Sequence, residues 1–165
     1  MNLSKLTATC ILLLATTVTT SAIASEHDHN HKQTSPQEEQ LEAQQNMQLD
    51  QGKKWPIDAS LHSGMSNIKT SMEENISEIH NNQFTSAQYK SLAGKIDVQL
   101  AYLFKNCNLP EEADAQLHIL LFNIMQGSKQ MQSPNSPRSG AIKTIKTLQK
   151  YPHYFDDKNW QALKH

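Results

Sequence analysis

Residues 58–80 read DASLHSGMSNIKTSMEENISEIH, and this stretch decides the fold. Its apolar residues Leu61, Met65, Ile68, Met72, Ile76 and Ile79 follow one another at steps of 4, 3, 4, 4 and 3. That spacing stays on one side of a helix with 3.6 residues per turn and breaks the alternation a strand would need. Asp58 is placed to accept from the first free amides, Trp55-Pro56 sets the entry, and Asn81-Asn82 closes the pattern. One helix of about six turns is therefore expected over 58–80.

The same period recurs downstream. Thr85-Ser86-Ala87-Gln88 has the form of a capping box, and Tyr89, Leu92, Ile96, Leu100, Leu103 and Cys107 follow at steps of 3, 4, 4, 3 and 4. Asn108-Leu109-Pro110-Glu111-Glu112 reads as a stop and restart, with Pro110 near the first helical position and two carboxylates at the positive end of the next dipole. The third stripe is Ala113, Leu117, Leu120, Leu121, Ile124 and Ser128. After Ser133-Pro134-Asn135-Ser136-Pro137, a shorter fourth carries Ala141, Ile142, Ile145, Leu148 and Tyr151. Residues 152–165, with Tyr154, Phe155, Trp160 and Leu163, read as an irregular cap over one bundle end. Five Gly, six Pro and 6% aromatic residues offer little to build a sandwich or barrel. The expectation is an all-α domain over 53–165, a four-helix bundle of up-down-up-down order that buries a core without any cofactor.

The N-terminal third is of another kind. Lys5 precedes an apolar run centred on Ile11, Leu12, Leu13 and Leu14, and Ser21-Ala22-Ile23-Ala24 supplies small residues where a signal peptidase reads. Residues 1–24 therefore read as a secretory signal peptide with cleavage expected after Ala24, since a membrane anchor needs ~20 strongly apolar residues. The mature chain would be a periplasmic protein, not inserted in the membrane. It would carry 14 basic and 16 acidic residues, a formal net charge of −2. That balance supplies no basic field for nucleic acid. Residues 25–52 are rich in His, Gln and Glu and poor in apolar residues, the composition of a disordered tail.

The stretches Leu49-Asp50-Gln51-Gly52-Lys53-Lys54-Trp55, His62-Ser63-Gly64-Met65 and Asn106 to His118 (NCNLPEEADAQLH) carry a resemblance. They are similar to the pattern of a family of small exported helical proteins of Gram-negative bacteria, some of them associated with copper or heavy-metal efflux systems. The resemblance covers roughly residues 49–165 and is most specific around Cys107 to His118. It implies metal handling in the periplasm and brings no catalytic or binding residue with it.

The residues that could carry chemistry fall into two groups. Cleavage after Ala24 would expose Ser25-Glu26-His27. A free amine, two amide nitrogens and an imidazole in the third position can wrap a square-planar four-nitrogen site suited to Cu(II) or Ni(II). Asp28, His29 and His31 follow, and their imidazoles could take a second ion. The second group is in the bundle. Antiparallel registers set Met65, Leu100 and His118 at one level and Met72, Ala93 and Met125 at another, with Asp114 one turn before His118. Thioether and imidazole ligands there would suit Cu(I), or a haem iron with Met and His ligands. The competing reading is plainer: Met fills irregular cores, and a His with an Asp four residues before it is a boundary residue.

Cys107 would be the only cysteine of the mature chain, so no internal disulfide can form. Its step of four from Leu103 places it on the inward stripe, and a shielded thiol is expected, with metal ligation and pairing between chains as the alternatives. A helix C-terminus raises a thiol pKa, which disfavours a nucleophile. The sequence contains no HExxH, CxxC, CxxCH or GxSxG and no phosphate-cradling glycine loop. The expected function is accordingly a non-enzymatic, metal-binding or metal-buffering protein, with copper as the expected ion. An envelope interaction protein without a metal role is the alternative, and a haem-binding electron carrier the third.

Overall fold

The computed structural model describes residues 46–164, which form five helices and no strand. The fold is all-α. The helices are α1 (Ala59–Glu73), α2 (Ile76–His80), α3 (Ser86–Asn106), α4 (Glu111–Met131) and α5 (Pro137–Tyr154). The most extensive packing is of α4 on α5, then of α1 on α3 and of α3 on α4. Every residue of the 58–80 stripe is buried, together with Leu92, Ile96, Leu103, Leu117, Leu120, Ile124, Leu148 and Tyr151.

The expected single helix over 58–80 is in fact two. Asp58 caps α1 as its sequence implied, its carboxylate accepting from the Leu61 amide at 2.6 Å. At the other end the Asn75 side chain donates to the Ser71 carbonyl at 2.8 Å, while its own amide moves on to the Met72 carbonyl at 3.1 Å. That tightened turn breaks the ladder between Glu73 and Ile76 without turning Ile76 and Ile79 out of the core, because local Asn bonds compete with helix bonds. α2 then ends in a Schellman turn. Asn82 is left-handed at φ 55°, its amide reaches the Ile79 carbonyl, and the Gln83 amide reaches the Glu78 carbonyl at 2.9 Å.

The capping box at Thr85 and Gln88 is present, and Phe84 packs edge-on against Tyr89 with ring centroids 4.8 Å apart. These two rings stand just before the cap and in the first turn after it, which fixes how the chain enters α3. α5 is longer than its apolar stripe suggested. It starts on Pro137, whose missing amide costs nothing at a first position, and runs through Pro152 in its last turn. The contact of α4 with α5 is made by small residues. Gly127 and Gly140 are buried face to face, and a Cβ at Gly140 would lie 2.5 Å from the Met131 amide nitrogen.

Two segments differ from their expected form. Residues 46–52 were expected to belong to the tail, yet they lie against the helices. The Gln48 amide donates to Gln116, and Met47 packs against the core. Asp50 and Lys53 close a two-residue turn with Gln51 and Gly52 both at positive φ, the geometry glycine permits. The second is the C-terminal segment, expected as a cap over one end. It instead lies along α1 as a strap. Asp157 meets His62, Trp160 meets Lys69 with 5.6 Å from the ammonium to the ring centre, and the Lys164 amide donates to Glu73 at 2.9 Å. Trp55 ties it down, donating to the Tyr154 carbonyl at 2.7 Å and accepting from the Asp156 amide at 2.9 Å.

Candidate functional site

Ser25, Glu26, His27, His29 and His31 lie outside the described residues. The bundle group is inside them, and its members are separated by burial. Met65 is fully buried, whereas the His118 side chain is 56% exposed. The reason is helical geometry: Leu117 holds the inward position of α4, and its neighbour His118 is turned about 100° away from it. Met125 faces outward for the same reason, while Met72 is buried. Asp114 and His118 are brought together. The ring Nδ1 is 2.9 Å from the Asp114 carbonyl oxygen and 3.2 Å from its carboxylate, and Phe104 lies against the ring at 5.6 Å. Among the described residues no three His, Cys, Asp or Glu side chains gather as a cation would require.

The densest polar grouping stands where α1 begins, α3 ends and the strap passes. Asp157 is at its centre, with only 1% of its side chain exposed. One carboxylate oxygen accepts from His62 Nδ1 at 2.8 Å and from the Tyr151 hydroxyl at 3.1 Å, and the other from the Asn159 amide at 3.1 Å. A carboxylate only accepts, so Nδ1 of His62 is the donor in this contact. Asp58 continues the network, binding the Asn108 amide at 2.7 Å and so joining the start of α1 to the turn after α3. Every buried polar side-chain atom of the described residues has a partner. Sequence reading identified Asp58 as a cap but had no signal for the rest, since His62 and Asp157 are 95 residues apart and belong to no motif.

Cys107 borders this network, and its placement corrects the expectation of an inward helical thiol. α3 ends at Asn106, and Cys107 is an extended capping residue, half-buried at the margin of the core. Burial first, then the carboxylates of Asp58 and Asp114, push its thiol up to about 12. Burial, and next the charge and hydrogen bond of Asp157, raise the Tyr151 hydroxyl as well. Near neutrality the thiol is therefore protonated, a poor nucleophile and a poor metal ligand.

A pH dependence follows. Cys107 has its folded-state pKa above its unfolded value near 9, so its contribution is whole below that value and is lost as pH rises toward 12. Thermal unfolding followed from about pH 8 to about pH 11 should show a falling midpoint, and Cys107→Ala should flatten that fall in part, the buried hydroxyls of Tyr151 and Tyr89, which burial also raises, contributing to the rest. Equal slopes for the two proteins would contradict the assignment.

A second feature of the surface is apolar. Val98, Tyr102 and Phe104 of α3 and Phe122 and Met125 of α4 are exposed, Val98 by 65% and Phe104 by 50%. Phe104, Met125 and Ala101 line a shallow groove between the two helices, bordered by Asp97 and Lys129. No helix among the described residues is long and apolar enough to cross a membrane. No family model, no curated protein and no solved structure matches the chain.

Proposed function

We propose that the protein is a periplasmic, non-enzymatic copper-binding protein, in which an N-terminal tail captures Cu(II) and a four-helix up-down-up-down domain carries it. The observation behind this reading is Ser25-Glu26-His27 directly after a signal-peptide pattern. The resemblance to exported proteins associated with copper efflux supports it. So does the division of labour in the chain: the helical domain fills its core with its own apolar side chains, and His27, His29 and His31 are grouped in the tail. Four nitrogens, one amine, two deprotonated amides and one imidazole, would bind Cu(II) in a plane, with affinity rising with pH as protons leave.

The test is a one-equivalent Cu(II) titration of the exported, N-terminally sequenced protein. His27→Ala should abolish the visible absorption band of the square-planar site, and His118→Ala should leave it unchanged. The helical circular dichroism should survive chelation in all three proteins. A Ser25 terminus that shows no tight Cu(II) site would refute the proposal. In that event the second reading, an envelope interaction protein, becomes the better account. The exposed Phe104 and Met125, which line the groove between α3 and α4, favour it, because apolar surface left open on a small domain marks a contact face.

A further inference from the structure

One helix departs from the charge balance of the chain. α5 carries Arg138, Lys143, Lys146, Lys150 and His153 and contains no Asp or Glu, in a chain whose acidic residues outnumber its basic ones by 16 to 15. Arg138 is occupied elsewhere, donating to the Ile79 carbonyl at 3.1 Å. Lys143, Lys146 and Lys150 share one face and rim a cleft of about 380 Å³ bounded by α5, by Asn123 of α4 and by Asn46 and Met47 ahead of α1. Like charges one turn apart destabilise a helix, so this face is costly to keep without a counter-charge. Among the described residues no acidic side chain lines the cleft, and none of the three lysines makes a salt bridge. Lys143 donates only to the neutral Gln126.

The walls narrow the ligand class. Met47, Ile142 and the Tyr154 ring give the cleft an apolar side, and Ser139 adds a hydroxyl donor. All the positive charge here is ammonium. A guanidinium would supply a planar fork that matches carboxylate and phosphate alike, whereas ammonium groups are point charges, and three of them at one cleft suit a compact, multiply charged anion. We infer that this cleft binds a phosphate monoester with an apolar body, held by Lys143, Lys146 and Lys150 around the phosphate and by Met47, Ile142 and Tyr154 along the body. The site is independent of the copper tail and would operate whether or not the tail binds metal.

Phosphate monoesters occur in soluble molecules and as lipid headgroups, and two probes separate these sources. The mature protein is titrated with phenyl phosphate, followed by NMR shifts, and is co-sedimented with phosphatidylcholine vesicles containing phosphatidic acid. Two double variants are compared: Lys146→Gln with Lys150→Gln in the cleft, and Lys90→Gln with Lys95→Gln on exposed positions of α3. Removing two charge-assisted contacts should weaken binding at least about tenfold in the cleft variant and leave the α3 variant unchanged. All four substituted lysines are exposed on helix surfaces, and the circular dichroism of both variants should match that of the parent protein. Binding of phenyl phosphate with this pattern supports a soluble ligand, and vesicle binding alone with this pattern supports a lipid headgroup. Failure of both probes to bind, retained binding in the cleft variant, or equal losses in the two variants would overturn the assignment.

Discussion

Gly140→Ala is expected to destabilise the domain by about 3 kcal/mol, the upper part of the range for overpacking a tight interior. The added methyl would collide with the Gly127 carbonyl and stand 2.5 Å from the Met131 amide nitrogen. Backbone atoms of a helix cannot rotate aside as a side chain can, so α5 would have to move away from α4. That contact is the most extensive one between helices in the fold, and its loss would spread to Ala141, Thr144 and Leu148 on the same face. The control is Gly94→Ala in α3, where a Cβ would meet nothing within 4 Å. There the better helix propensity of alanine should stabilise by about 0.5 to 1 kcal/mol. Urea unfolding of the two variants decides the matter: equal effects would mean that the α4–α5 approach is looser than the structure places it.

The contrast between these two glycines also shows what a sequence can disclose. Both occur inside helical patterns, and nothing in the order of residues tells the crowded one from the open one, because the difference is made by a helix elsewhere in the chain. The apolar stripes were legible because each is a local property of 3.6-residue geometry. Leu61 through Ile79, Tyr89 through Leu103 and Leu117 through Ile124 are buried as their spacing implied. The break at Asn75 was less so, since the stripe continues across it and only the side-chain bond to Ser71 marks it. His118 and Cys107 show a finer limit. Periodicity places a residue to within about one position of an inward face, and one position is 100° of helix. It brought His118 near the core level of Met65, and the plainer reading of it as a boundary residue beside Asp114 is the one its exposed side chain fits.

Nor could the strap be read from its own residues. Asp157 and Asn159 resemble ordinary turn residues, and Trp160 an ordinary aromatic. Their roles come from α1, which presents His62, Lys69 and Glu73 along one face to receive them. The polar network at the start of α1 is legible only in three dimensions, as is the lysine cleft, whose charges are visible in the sequence but whose concavity is not.

Removing the carboxylate at the centre of that network is expected to have an effect close in size to that of Gly140→Ala and of a different character. Asp157→Ala takes away the acceptor shared by His62 and Tyr151 and strands the Tyr151 hydroxyl in a fully buried side chain. Leaving the buried hydroxyl without its acceptor and losing hydrogen bonds to a carboxylate costs about 2 to 3 kcal/mol, most of it from the group left behind. Asp157→Asn keeps one carbonyl oxygen as an acceptor and should cost less, about 1 to 2 kcal/mol. The character differs because Asp157 also anchors the strap. Trp160 packs edge-on against Tyr151 at 4.6 Å, and the chain holds only one other tryptophan, Trp55. In Asp157→Ala the strap should release from α1 before the helices unfold, so Trp160 fluorescence should shift to the red at a lower urea concentration than the helical circular dichroism is lost. Gly140→Ala, acting in the core, should lower both transitions together. A single coincident transition in Asp157→Ala, with stability unchanged, would show that the strap is held by its aromatic contacts alone and that the buried carboxylate adds nothing to it.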